Sequence, residues 1–379
     1  MIADTAIHSI LSALYGVHAT ITRLPGEYDC NVKVIDARGA AYVLKIMHPN
    51  RSSAFVDMQI AALNHVAQTA PQIPLQRVVR QHNGADWSVV DIADQRHIVW
   101  MLTYLEGTLF AHANPVDDAL AGHVGELVGQ LGAALHGFTH AAAYRELEWD
   151  VMRGGWIRDY LHVFGDAQQR HIVDSMSANC LAAYAQHGHQ VPYSIIHGDV
   201  NDYNMVVGAP AYQKRQVTGI LDLGDMMHTA TISDLAIAAA YVLMRHPDPL
   251  DALMVMVARY HAARPLTAAE MALLYPMLCM RLCISVTVSA IRKQERPDDP
   301  YMVVSEAPAW RLLQCLCAEH PRLIEYRIRA ACGEAAHPAH ARIVAWMQQQ
   351  PTAPILGREL ADHDRVALDL SVGSTLLGA

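Results

Sequence analysis

Apolar positions along the first hundred residues recur in two rhythms. The opening segment MIADTAIHSILSALYG spaces them as one face of an amphipathic helix. From Ile21 to Met47 the rhythm shortens to strand type in ATITRL, NVKVIDA and AAYVLKIM. The turn Arg38-Gly39 between the last two predicts a β-hairpin. Phe55, Met58, Ala62 and Val66 then recur at helical spacing, predicting a helix over 55–67 that the stretch Pro71 to Pro74 closes. Two further strand-like runs follow, WSVVDIA and HIVWMLTYL.

After Glu106-Gly107 the pattern turns helical, first in ALAGHVGELVGQLGAALHGF and again from Ile157 to Tyr184. Two short β pieces, in VPYSIIHGDVNDYNMVV and VTGILDLGDM, interrupt it before helices resume from Ser233 to about Trp346. The change of character at 106–107 predicts an α+β, two-lobed chain, with a small mixed β lobe over 1–105 and a larger, mainly helical lobe over 106–350. Residues 351–379 return to β-like sequence and read as an extension or the start of a further domain. No solenoid-period repeat and no low-complexity tract is visible.

Composition narrows the function classes. The 379 residues are 52% hydrophobic and 17% charged, with a formal charge of −9. That balance argues against a nucleic-acid surface, which needs clustered Lys and Arg. The seven cysteines form no Cys-x-x-Cys pair, so neither a disulfide framework nor a zinc ribbon is expected, and Cys279 and Cys283 read as small core residues one helical turn apart. The N-terminus carries Asp4 and no basic region ahead of its apolar residues, unlike a secretory signal. Met271 to Ile291 is the most membrane-like segment, but Pro276 and Arg281 inside it favour a buried helix. A soluble chain in a reducing cytoplasm is the expectation.

The chemistry concentrates in His197-Gly198-Asp199-Val200-Asn201-Asp202-Tyr203-Asn204 and, after a strand-length spacer, Ile220-Leu221-Asp222-Leu223-Gly224-Asp225. Phosphoryl transfer to an alcohol needs a carboxylate to orient and deprotonate the hydroxyl, and hard oxygen ligands for Mg²⁺. Asp199, Asn204 and Asp222 have the right types and order. Lys45 lies on the second hairpin strand between Leu44 and Ile46, which point to the opposite face. Asp57 and Gln59 on the following helix are the candidates to hold that Lys. No Gly-x-Gly-x-x-Gly is present, so phosphate cover falls to residues 24–31, where Gly26 makes the turn and Asn31 is a candidate phosphate contact.

H-G-D-x-x-x-x-N followed by I/L-D-x-x-D resembles the aminoglycoside phosphotransferase and choline kinase superfamily, over roughly Ile21 to Trp346. The resemblance implies a protein-kinase-like two-lobe fold, with Asp199 as catalytic base, Asn204 and Asp222 as metal ligands, and Lys45 on the nucleotide phosphates. It implies ATP or GTP as donor with Mg²⁺, and nucleotide-base contacts from Trp100 to Leu105, among them Leu102 and Tyr104. LPGEYDCN, LTYLEG, HGDVNDYN, LDLGDMMHT and SDLAIAAAYV look most like the hydroxylysine kinase branch. They are also similar to a phosphotransferase module that is fused to a class-III aminotransferase-like, pyridoxal-phosphate module. His197 and Asp234 resemble residues that support the catalytic loop.

The acceptor implied is a small amino alcohol or hydroxylated amino acid. Asp202, Asp225 and Glu306 are candidates for its ammonium, Arg281 for a carboxylate, and Tyr301 and Trp310 for an aromatic wall. His136 and His140 are spaced at i, i+4 without a third ligand, and His337 and His340 read as surface residues. The competing readings are an aminoglycoside or choline kinase, and a non-catalytic nucleotide-binding module of a larger fusion.

Overall fold

The computed structural model describes residues 2–26, 28–209, 215–295, 306–337 and 339–349. The expected extension 351–379 lies outside the described residues. The chain forms two compact units, each assembled from separated pieces of sequence. One takes Met1–Asn114, Gln130–Leu147 and Ser194–Thr229; the other takes Pro115–Gly129, Glu148–Tyr193 and the chain from Ala230 onward.

The first unit opens with helix α1 (Asp4–Ile10), extended by a π turn over Leu11–Tyr15. Strands β1 (Ala19–Leu24), β2 (Cys30–Asp36) and β3 (Ala41–Ile46) follow as an antiparallel meander whose second turn is the predicted one. Helix α2 (Ser53–Thr69) starts where the Ser52 hydroxyl accepts the Phe55 N–H, two residues before the periodicity begins. Strands β4 (Val78–Val79), β5 (Trp87–Ile92) and β6 (Gln95–Thr103) complete a sheet ordered β1-β2-β3-β6-β4, with β5 also paired to β6.

Side-chain alternation divides this sheet into two faces. Val32, Val34, Leu44, Ile46, Val99 and Met101 pack with Ile7, Ile10 and Leu11 in one apolar cluster. Residues one step along each strand, Asn31, Lys45 and Trp100, therefore point the other way and stand directly opposite one another across β2, β3 and β6.

The remaining strands of this unit are short: β7 (Thr108–Leu109), β8 (Tyr193–Ile196), β9 (Met205–Val207), β10 (Val217–Ile220) and β11 (Met227–Ala230). They form a β10-β9-β7 sheet and a β11-β8 ladder. Two loops are thereby anchored at both ends, residues 197–204 between β8 and β9 and residues 221–226 between β10 and β11. Ile220 N–H donates to the Pro74 carbonyl (2.9 Å), which fixes the end of β10 to the segment after α2.

The helices of the second unit are α3 (Asp118–Ala134, whose last turn belongs to the first unit), α4 (Ala167–His187), α5 (Ser233–Leu243), α6 (Pro249–Ala263), α7 (Ala268–Glu295), α8 (Glu306–Cys317), α9 (Pro321–Ala331) and α10 (His340–Gln349). A 3-10 stretch, Val151–Val163, precedes α4 and replaces the continuous helical run expected from Ile157. α7 packs against α4, α5, α8, α9 and that stretch. It is apolar all round because it is surrounded: 83% of its most hydrophobic window is buried. Cys279 and Cys283 lie inside this core, where burial pushes both thiols up, Cys283 to about 12.

α3 contains four glycines that weaken its helix propensity, yet three of them, Gly122, Gly125 and Gly129, let its backbone approach α6. A Cβ at Gly129 would lie 2.9 Å from the Tyr260 carbonyl, and one at Gly125 would overlap the Met256 carbonyl. Ala normally improves on Gly in a helix by about 1 kcal/mol. Overpacking against immovable backbone costs about 1–3 kcal/mol, so Gly125→Ala is expected to be net destabilising. Gly165→Ala, with nothing within 4 Å of the added carbon, is the control and should unfold in urea as the parent does.

Candidate active site

Lys45 is buried to 8% exposure on the α2-facing side of the sheet. Its ammonium lies 5.6 Å from the Trp100 ring centroid and 3.5 Å from Asp222 Oδ1. The expectation that Leu44 and Ile46 turn away from Lys45 agrees with their place in the opposite cluster.

Hydrogen bonds within residues 197–204 shape the first loop. Asp199 N–H donates to His197 Nδ1 (3.2 Å), so Nε2 carries the imidazole proton and donates to the Leu221 carbonyl (2.8 Å). Asn201 Nδ2 donates to Asp199 Oδ2 (2.7 Å), while its Oδ1 accepts the N–H groups of Tyr203 and Asn204 (2.8 and 2.9 Å). Asn204 Nδ2 donates to the Asp199 carbonyl (2.9 Å) and to Oδ2 (3.1 Å). One carboxylate oxygen of Asp199 therefore takes two amide donors, and the side chain is held in one orientation.

The second loop is joined to the first by backbone. Leu221 N–H donates to the Asn204 carbonyl (2.8 Å), which places Asp222 one residue from that bond. Asp222 adopts φ 55°, a left-handed conformation that Asp tolerates better than most residues. Its Oδ1 accepts the Gly224 N–H (3.1 Å). The Lys45 ammonium, working against partial burial, holds the Asp222 carboxyl below the usual carboxylate range, with help from Gly224 N–H and His197. The side chain keeps 52% of its surface open. Solvent screens the attraction, which sets the charge state more than it adds stability.

This donor set suits a hard divalent cation. Asp222 is ionised and open, and both N–H bonds of Asn204 described above come from Nδ2, which turns its Oδ1 away from Asp199. The structure thus brings Lys45, His197, Asp199, Asn204 and Asp222 together within the first unit.

Other predicted site residues are placed differently. Asp57 is exposed and accepts the Trp87 indole N–H (2.7 Å), so it is not the acid against Lys45. Gln59 is buried and donates to the Phe55 carbonyl (3.3 Å); Lys45 reaches Asp222 instead. Asn31 Nδ2 donates to the Pro25 carbonyl (3.3 Å), closing the 25–31 turn rather than presenting its N–H to a phosphate. Leu102 is buried on the Lys45 face, and Tyr104 receives the Lys33 ammonium 3.7 Å above its ring. The Asp202 carbonyl accepts Ala111 N–H (2.8 Å), and Asp225 provides a negative charge beside Arg145.

In the second unit, Arg281 is 2% exposed, donates to the Tyr241 hydroxyl (2.9 Å) and lies 4.7 Å from the Trp149 centroid. Glu306 binds Lys293 and Ser289, tying the start of α8 to the end of α7. That pairing removes it as a ready ammonium site. Trp310 is buried edge-to-face against Phe164, a core contact rather than a substrate wall. Asp234 is buried in the first turn of α5. Tyr301 lies outside the described residues. His140 caps a short 3-10 turn through Ala142 N–H, and His337 packs on Tyr326.

Residues 198 and 225 meet at the centre of this arrangement. Gly198 has φ +84°, and a Cβ there would overlap the Asp225 carbonyl. Backbone strain of this kind costs about 1–3 kcal/mol before any steric clash. Gly198→Ala is therefore expected to lower Tm and to spread residues 197–204 from 221–226, seen as faster amide exchange in both.

Sequence and structure comparisons give a consistent kinship. Hydroxylysine kinase of Danio rerio is 27% identical over 328 residues, covering 83% of this chain and 91% of its own length. A microcompartment-associated aminopropanol kinase shares the fold with a TM-score of 0.61 at 18% identity, over 88% of this chain and 100% of its own. An amicoumacin kinase solved with AMP-PNP, Ca²⁺ and Ami matches at a TM-score of 0.60 and 16% identity, over 82% and 93%. The fold is thus the protein-kinase-like α+β arrangement expected from the paired motifs. Residues 20–272 match the phosphotransferase enzyme family, and the chain belongs to that family.

Proposed function

We propose that this phosphotransferase is a nucleotide-dependent kinase that moves the γ-phosphoryl group of ATP or GTP to a hydroxyl of an amino alcohol or hydroxylated amino acid. The observation that carries the reading is the cross-linked pair of loops beside a strand-borne ammonium. Asp199 is held by two amides, Asn204 and Asp222 offer oxygen donors, and Lys45 stands 3.5 Å from Asp222.

Asp199 orients the acceptor hydroxyl and takes its proton. Because Oδ2 already accepts from Asn201 and Asn204, the proton goes to Oδ1. Lys45 leaves Asp222 for the donor phosphates, a shift of one cation between two anions. Asn204 and Asp222 would hold Mg²⁺, which when bound neutralises phosphate charge. His197 keeps the two loops in register through its fixed tautomer and takes no proton from the acceptor. The acceptor class draws on the relatives' printed substrates, hydroxylysine and aminopropanol, each bearing an amine and a hydroxyl.

Asp199→Ala is expected to reduce turnover by about 10²–10⁴-fold, the usual contribution of a positioned general base, while calorimetric nucleotide affinity stays at the parent level. A panel of hydroxylated amino acids, amino alcohols, choline and aminoglycosides, read by coupled nucleotide consumption, identifies the acceptor. Turnover restricted to aminoglycosides or choline would overturn the substrate class. Nucleotide binding without turnover on any acceptor would leave a non-catalytic module.

A further inference from the structure

Arg145 stands outside every motif, in the aperiodic stretch after α3, and reaches the 221–226 loop. Its Nε donates to the Met226 carbonyl at 2.9 Å and its Nη2 to the Gly224 carbonyl. These two carbonyls flank Asp225 and begin two residues after Asp222. The adjacent Tyr144 ring stacks on His228 with centroids 4.7 Å apart, so residues 144–145 grip the segment at two points.

The guanidinium also lies 5.4 Å from the Phe55 ring centroid, near the start of α2. A second guanidinium, Arg51, lies 4.7 Å from the same centroid. Arg51 in turn is 3.8 Å from Asp29 Oδ2 and 5.6 Å from the Tyr28 centroid, in the turn expected to cover a nucleotide. Asp29 is itself fixed, since its Oδ1 accepts His48 N–H at 2.7 Å. Two cations thus share one ring, Arg51 with Asp29 beside it and Arg145 under the negative charge of Asp225. Ring attraction and these two carboxylates offset the repulsion between the guanidinia. A planar guanidinium can donate along its edge to two carbonyls while presenting its face to Phe55. An ammonium cannot do both.

We propose that Arg145 is a positioning residue that sets the Asp222–Asp225 loop and, through the Phe55 ring it shares with Arg51, couples that loop to the Tyr28–Asp29 turn. The proposal rests on the kinase reading above. Under it, the metal-holding loop and the nucleotide-covering turn are ordered as one body, and loosening either loosens the other.

The test uses the full chain with Arg145→Lys, which keeps the charge but loses the two-carbonyl geometry, and Phe55→Leu, which touches neither loop's backbone bonds. The first measurement is hydrogen–deuterium exchange on the protein without nucleotide or metal. In both variants the amides of 221–228 and of 28–31 are expected to exchange faster together, with the sheet strands unchanged. The second is calorimetric titration of ADP with Mg²⁺. Arg145→Lys is expected to weaken binding about 10-fold or more, the usual cost of losing support behind a metal ligand, with the acceptor KM unchanged. Faster exchange in Phe55→Leu confined to one of the two segments would overturn the coupling. Parent-like ADP·Mg²⁺ affinity in Arg145→Lys would overturn its positioning role. A parent chain that neither binds nor consumes nucleotide with Mg²⁺ would overturn the kinase reading and this inference with it.

Discussion

The carbonyl of Asp225 occupies the space where residue 198 would carry a side chain. Around that contact, His197 bonds to Leu221 and Leu221 bonds to Asn204, so two loops far apart in sequence share one backbone framework. Three of the clustered side chains hang from it, while Lys45 reaches Asp222 from β3. Asp199 and Asn204 project from one strand-to-strand connection and Asp222 from the other. Their mutual placement is decided by main-chain bonds, one imidazole and the side-chain amides of Asn201 and Asn204. Fixed hydrogen-bonded placement of this kind is what electrostatic preorganisation requires.

The parts legible in the sequence were those with a local cause. Lys45 could be assigned a face because Leu44 and Ile46 on either side of it are apolar, and period-two alternation leaves one choice. The hairpin, the second strand pair and α2 followed from equally local patterns. The paired motifs announced Asp199, Asn204 and Asp222 by type and order. Asn201 stood in the same motif and went unassigned, since nothing in a string of residues distinguishes an amide that grips a carboxylate from one that faces water. Its two-residue spacing from Asp199 was the available sign.

Long-range register was not legible. Asp57 was the one carboxylate on α2, but the helix rotates it toward Trp87, and only the packed helix reveals that rotation. Glu306 and Trp310 have the chemistry of a substrate site and the surroundings of a framework, an ion pair with Lys293 and a ring contact with Phe164. Arg145 carried no pattern at all. Its partners are carbonyls about 80 residues downstream, and backbone acceptors leave no mark in sequence.

The Lys45–Asp222 pair has a bearing on ligand exchange. A bare ammonium in the interior would be costly, and a bare carboxylate would draw stray cations; each neutralises the other while the site is idle. Under the proposed kinase reading, Lys45 would turn to the phosphate of an incoming metal–polyphosphate complex and Asp222 would help hold its divalent ion. Under that reading a nucleotide without a divalent ion would leave Asp222 without a counter-charge, so the resting pair would favour the metal complex over the free anion.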